Sequence, residues 1–310
     1  MSHPTAKKVA PFIVTLTLAA CGGGSSDSVT VGASGPTTAI SAVNQEAVAT
    51  EVSSNALQFT GSVLNTVALM SAEATPVETV AGINMQAQIR TIRDYMHQQA
   101  QPTVAQAVGA VIESQENCDV SGTVKVSFDD KNGSKDWDVG ESGTAVFSNC
   151  LFTSDGLTLN GAVQDEYIAQ DKTTTTDKFT FSNLKASKDG LSSELGGSMS
   201  YSESVNLSGQ TVQSTDRFVT QDLTVKVSQN SRSENFTLNE DVSFAASSAS
   251  PHQQTISGSG VITSNNSNIN GSVKFDITTP IIVNNNVQPV TVTAGQMTIS
   301  GRYASGGTGR

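Results

Sequence analysis

Between Asp130 and Glu141 the chain reads DKNGSKDWDVGE, a run dense in side-chain oxygen. Asp130, Asn132, Ser134, Asp136, Asp138 and Glu141 fall at its first, third, fifth, seventh, ninth and twelfth places. Carboxylate, amide and hydroxyl oxygens at such places form a donor set for a hard cation, calcium above all, which takes about 6–8 oxygens. Four carboxylates in so short a loop repel one another unless water or a cation offsets their charge. Catalytic patterns are missing by comparison. The chain has no G-x-S-x-G, H-E-x-x-H or P-loop, and no G-x-G-x-x-G after a strand-like run. His97 neighbours Arg93 and Asp94 in a helical pattern and reads as a solvated surface histidine, and His252 stands in an unrelated context. Hydrolysis would therefore rest on carboxylates, and no specific pair is marked. The chain is expected not to be an enzyme.

The elements that would hold this loop are strands. From Cys118 onward the apolar pattern has period two: Val124, Val126 and Phe128 alternate with Thr123, Lys125 and Ser127. Similar alternation recurs at Leu157–Leu159, Phe179–Phe181, Leu223–Val227, Phe236–Leu238, Val273–Ile277 and Met297–Ile299. One apolar and one Ser/Thr face identify antiparallel strands half-exposed to water, about ten to twelve of them over residues 118–303. Glycines at Gly122, Gly143, Gly197, Gly258, Gly271 and Gly295 recur at strand entries, where they relieve bending.

Residues 38–117 read differently. Ile40, Val43, Ala47, Val52, Ala56, Phe59, Val63, Val67 and Met70 form an amphipathic stripe. Met85, Ile89, Ile92, Met96 and Ala100 form a second, and Val104, Val108 and Val111 a third helix over 103–113. The expected class is α+β: N-terminal amphipathic helices packed on a large curved antiparallel β-sheet, an open half-barrel or sandwich-like form in which stripe and sheet bury each other. Residues 304–310 are expected to be a disordered tail.

Composition narrows the partners. The formal net charge is −11, and no basic cluster relieves it. Phosphate backbones repel such a chain, so nucleic acid is not expected as a partner.

At the N-terminus, Lys7 and Lys8 precede an apolar run from Val9 to Ala20, which is a secretory signal peptide over residues 1–20 and too short to span a bilayer as a helix. Its ending, Leu18-Ala19-Ala20-Cys21, resembles the bacterial lipoprotein lipobox. That resemblance implies lipid on Cys21, which becomes the first mature residue and holds the protein to a membrane. Gly22, where Asp would signal inner-membrane retention, implies the outer membrane. Residues 21–37 are Gly/Ser-rich and read as a flexible tether, an ordered strand through Val29 and Val31 being the alternative. With Cys21 lipidated, Cys118 and Cys150 are left as one pair, and an exported protein is expected to join them, which stabilises by roughly 3–4 kcal/mol on the chain-entropy model. The loop from Asp130 also resembles the D-x-N-G…W-D-x-G-E calcium loops of secreted bacterial proteins. By that resemblance Asp130, Asn132, Ser134 and Asp138 are monodentate or water-linked ligands, Asp136 gives a backbone carbonyl and Glu141 is bidentate. Lys135 departs from the pattern, standing where glycine allows the sharp turn. The function expected is a lipid-anchored envelope protein with a structural or interaction role. The alternative is a carrier of apolar cargo, lipid or lipoprotein, in a cavity between sheet and helices.

Overall fold

A computed structural model describes residues 13–16, 38–40, parts of 44–52 and 89–97, and 111–303 except 135, 152–156, 189, 230–231, 266–269 and 285–290. Cys21 with the lipobox, the tether over 21–37 and the tail over 304–310 lie outside the described residues.

The strands in chain order are β1 (Ile13–Leu16), β2 (Ala39–Ile40), β3 (Val111–Asn117), β4 (Ser121–Asp129), β5 (Ser142–Leu151), β6 (Thr158–Gln170) and β7 (Thr174–Lys188). They continue with β8 (Leu191–Ser208), β9 (Thr211–Gln229), β10 (Arg232–Ser247), β11 (Gln253–Ser264), β12 (Gly271–Asn284), β13 (Thr291–Ser300) and β14 (Arg302–Tyr303). From β3 to β13 each strand pairs antiparallel with the next, giving eleven strands in one up-and-down meander. β1 adds a parallel strand outside β13, and β2 pairs with β14 in a separate two-stranded ribbon.

Each long strand is broken by a register shift, and the shifts explain the local sequence. On β7 the inward side chains are Asp177, Phe179 and Phe181, then Leu184 and Ala186. The phase changes between Phe181 and Leu184, where Asn183 takes a left-handed φ of 51°. Its neighbour across β6 is Gly161, at φ 99°, whose added Cβ would lie 2.2 Å from the Asn183 carbonyl oxygen. Only glycine fits such an approach at positive φ. The same offset recurs on β9, where Thr220 gives way to Leu223, while β8 keeps its phase from Leu195 through Gly197 to Met199. Gly197, Gly258 and Gly295 thus sit inside strands at bends, where the sequence pattern places them at strand entries.

The inward side chains form one cluster running from Val124 on β4 to Ile299 on β13. Burying each Phe, Ile or Val stabilises by about 1.5–3 kcal/mol relative to exposure. Val48, Val52, Ile89, Ile92 and Met96 join that cluster. The opposite face is hydroxyl-rich, with Thr174 bonded to Ser204 at 2.9 Å and Thr176 to Ser202 at 3.0 Å.

The α+β expectation is corrected here: the protein is mostly one antiparallel sheet, and helix among the described residues is confined to short stretches within 45–52 and 89–97. Among the described residues no N-terminal helical layer of the expected extent is present. Ala39–Ile40, read as helix, is extended and paired with Arg302–Tyr303. Val111, Ile112 and Glu113, assigned to a third helix, begin β3. That strand lies at the sheet edge with Ile112 its one buried side chain, so its period-two signal is weak and the 3–4-residue spacing of Val104, Val108 and Val111 prevails in the sequence. The antiparallel strands themselves, and the Cys118–Cys150 disulfide with its Cα atoms 5.5 Å apart, are as expected. No helix of the described residues is long and apolar enough to cross a membrane, which says nothing of spans made by strands.

Candidate functional site

Two acidic residues on the sheet's apolar face define the site. Asp165 on β6 follows the inward phase of Val163 and precedes Tyr167; Asp177 on β7 precedes Phe179 in the same phase. Tyr167 pairs with Asp177 and Asp165 with Phe179, so the two carboxylates are diagonal neighbours on one face. Both are fully buried. A helical stretch, 92–97, brings two more groups down onto them. Arg93 and His97 are four residues apart and therefore share a helix face.

The contacts are short. Arg93 Nε lies 2.7 Å from Asp177 Oδ2, and Nη1 lies 3.2 Å from Glu203 Oε2 on β8. Nη2 donates to Thr175 Oγ1 at 3.1 Å. The guanidinium also sits 5.7 Å from the centroid of Tyr201, whose hydroxyl donates to buried Asp216 at 2.8 Å. His97 Nε2 is 3.3 Å from Asp165 Oδ2 and 3.9 Å from Asp177 Oδ1. Neither approach has the alignment of a hydrogen bond, and both oxygens of Asp165 are buried without a hydrogen-bond donor.

Electrostatics follow from that burial. Desolvation pushes the Asp165 carboxyl up, against the pull of Arg93. Asp177 is raised by desolvation and then by the Asp165 charge, again opposed by Arg93. His97 is pushed down to about 4 by burial and the neighbouring Arg93 charge, so its imidazole is neutral at neutral pH. A neutral imidazole and two carboxylates facing one another can share a proton or hold a cation.

The acidic loop supplies the wall of this site. Trp137 stacks on His97 with ring centroids 4.4 Å apart and on Phe128 at 4.7 Å. Tyr167 meets His97 edge-on at 6.3 Å. Room for the indole comes from Gly143 on β5, where an added Cβ would lie 2.7 Å from Trp137 Cη2. Gly143→Ala is therefore expected to displace the indole, shifting the tryptophan emission and costing on the order of 1 kcal/mol in a urea titration. An unchanged emission spectrum would mean that the ring is not seated there.

Within the loop the six residues singled out in the sequence do come together, but as acceptors and donors to one another. Glu141 is buried, and its carboxylate accepts from the amides of Lys131 at 3.0 Å and Asp138 at 2.9 Å. Asp130 Oδ1 accepts from Gly133 N at 2.6 Å. Asp138 Oδ2 accepts from Asn132 Nδ2 at 2.8 Å and from Ser134 Oγ at 2.5 Å, bonds that lower its pKa. Asp136 is exposed, and its carbonyl accepts from Ser134 Oγ at 3.3 Å. Lys131 Nζ reaches the Gly140 carbonyl. The sharp turn is made at Gly133, φ 74°, two places before Lys135. A calcium ion entering here must take Glu141 from backbone amides and Asp138 from its side-chain donors. Among the described residues, the one group of three His, Cys, Asp or Glu ligand atoms all within 4.8 Å of one another is His97, Asp165 and Asp177.

The reading of His97 as a solvated histidine is thus corrected: its side chain is 25% exposed, and it is packed between Trp137 and two buried acids. Two signals in the sequence point to this site. One is the Arg93/His97 spacing of four on a helix. The other is an aspartate at the inward phase of two strand patterns, V-Q-D-E-Y and D-K-F-T-F, where an apolar residue belongs. Comparison with protein-family models, curated proteins and solved structures finds no match to the chain.

Proposed function

We propose that the chain is a lipid-anchored protein of the bacterial outer membrane, held through Cys21, whose sheet serves a structural or partner-binding role without catalysis. The observation that carries the second half of this reading is the filled interior. Phe128, Phe179, Phe218, Phe244 and Phe275, spread from β4 to β12, are each 1% exposed or less. Walls of a cargo cavity would keep surface accessible within it, as a roomy apolar cavity does when it admits a ligand. The surface left for partners is the hydroxyl-rich face of the sheet. The chain's net charge of −11 argues against an electrostatic hold on anionic lipid, so attachment falls to the acyl chains, and the three that the lipoprotein modification supplies are ample.

Two measurements test this. Cys21→Ser is expected to abolish labelling by radioactive palmitate and to release the protein from the membrane fraction. Equal labelling of the variant removes the anchor. Native mass spectrometry of the released protein is expected to show the bare polypeptide; a stoichiometric lipid adduct would replace the structural reading with that of a carrier.

A further inference from the structure

We propose that His97, Asp165 and Asp177 bind one divalent transition-metal ion of the zinc class, a site independent of the membrane anchor. The geometry is close to what such an ion requires. Zinc takes imidazole nitrogen at about 2.0–2.1 Å and carboxylate oxygen at about 2.0–2.2 Å, so its tetrahedral ligands stand roughly 3.4 Å apart. Here Nε2 of His97 is 3.3 Å from one aspartate oxygen and 3.9 Å from the other. All three ligand atoms lie within 4.8 Å of one another, a spread that side-chain rotation can close.

A second observation is independent of these distances. Asp165 is wholly buried, and neither oxygen receives a hydrogen bond. A buried carboxylate left so is costly, and buried charges are otherwise found paired or on metals. Arg93 does not resolve this, because it is committed to Asp177, Glu203 and Thr175.

Donor chemistry gives the class. An imidazole nitrogen among so few ligands suits zinc, cobalt or copper, whereas calcium takes 6–8 oxygens and magnesium keeps most of its waters. Arg93 holds Asp177 from behind, the place an orienting partner occupies around metal ligands. Trp137 and Tyr167 cover the imidazole, and water completes the coordination.

The test uses the full chain in detergent, stripped with a chelator and titrated with zinc chloride by calorimetry and by the emission of Trp137, the sole tryptophan. One zinc per chain is expected, with a saturable change in emission and a raised melting temperature. Asp165→Asn is expected to weaken binding tenfold or more while leaving the metal-free protein at least as stable as wild type, since the unpaired carboxylate is gone. Cobalt is expected to give the visible absorption of a tetrahedral site in wild type, which keeps the assignment testable should the variant fail to fold. The proposal is overturned if wild type takes up no stoichiometric zinc, if Asp165→Asn binds it as tightly as wild type, or if calcium binds equally well at the same residues.

Discussion

Replacing Cys118 and Cys150 together by alanine is expected to lower the free energy of unfolding by about 3–4 kcal/mol, the entropy of closing so long a loop. The bridge spans 32 residues, and the loop it closes holds β4, the acidic loop and most of β5. Both sulfurs are buried, and the bridge is flanked by backbone bonds from Cys118 N to Gly122 O at 3.1 Å and from Val120 N to Leu151 O at 3.0 Å. Those bonds survive the substitution, so the loss falls on the unfolded ensemble, which becomes free to expand. Urea titrations read it as a lower midpoint with a steeper slope. Reductant should bring wild type to the value of the variant and leave the variant unmoved. A double variant within 1 kcal/mol of wild type would show that the meander already confines this hairpin.

Glu240→Gln is expected to act in the opposite direction and to stabilise. Glu240 on β10 is 2% exposed, and neither carboxylate oxygen has a partner. Its stem fits because position 260 on β11 is glycine: a Cβ there would lie 2.9 Å from Glu240 Cγ and 2.8 Å from Phe275 Cε1. Its backbone N–H donates a hydrogen bond to Thr220 Oγ1 at 2.9 Å. Desolvation raises its pKa well above the ordinary 4.5, so the native protein keeps the acid protonated where the unfolded chain ionises. The sign follows directly. The contribution to stability is fully present below the unfolded value and is lost as pH climbs towards the folded one. Glutamine carries no such loss, so the gap between variant and wild type should open as pH rises above 4.5 and be smallest at the acid end. Glu240→Met removes the unpaired polar group as well, worth roughly a further 1–3 kcal/mol at every pH. A glutamine variant less stable than wild type at pH 8 would mean that the carboxylate is ionised and paired in the native state.

How much of this could be read from the chain depends on whether a pattern stays in phase. Val124 to Phe128 alternate without interruption, and β4 is plain in the sequence. β8 and β9 are among the longest strands, yet Gly197 leaves a gap in the apolar alternation of β8 and the phase of β9 shifts at Asp222. The break leaves Leu223 to Val227 legible as strand while the first half of β9, with Asp216 and Thr220 turned inward, looks polar and turn-like. Composition alone cannot distinguish an inward aspartate from an outward one; the phase on both sides of the bend is needed. The same difficulty hid the His97 site, because Asp165 and Asp177 are far from His97 in sequence and become neighbours through strand register. The acidic loop, by contrast, announces its residue types openly. What it does not announce is that Glu141 turns inward to cap amides and that Trp137 leans away from the loop onto His97.

In the meander from β3 to β13, every strand takes its backbone partners from its immediate neighbours in sequence. Such a sheet behaves as a one-dimensional lattice of hairpins, whose stability is close to a sum of nearest-neighbour couplings. Opening then starts at a boundary and travels inward, strand by strand, as a moving front. The two boundaries are unequal. The front entering from β3 meets a covalent pin after one strand, whereas on the far side the meander ends at β13, whose partner β1 lies within the leader that the proposed processing at Cys21 removes. Amide exchange should accordingly be graded across the sheet, fastest at β13 and slowest near β7 to β9, with the disulfide converting one frayed end into a fixed wall.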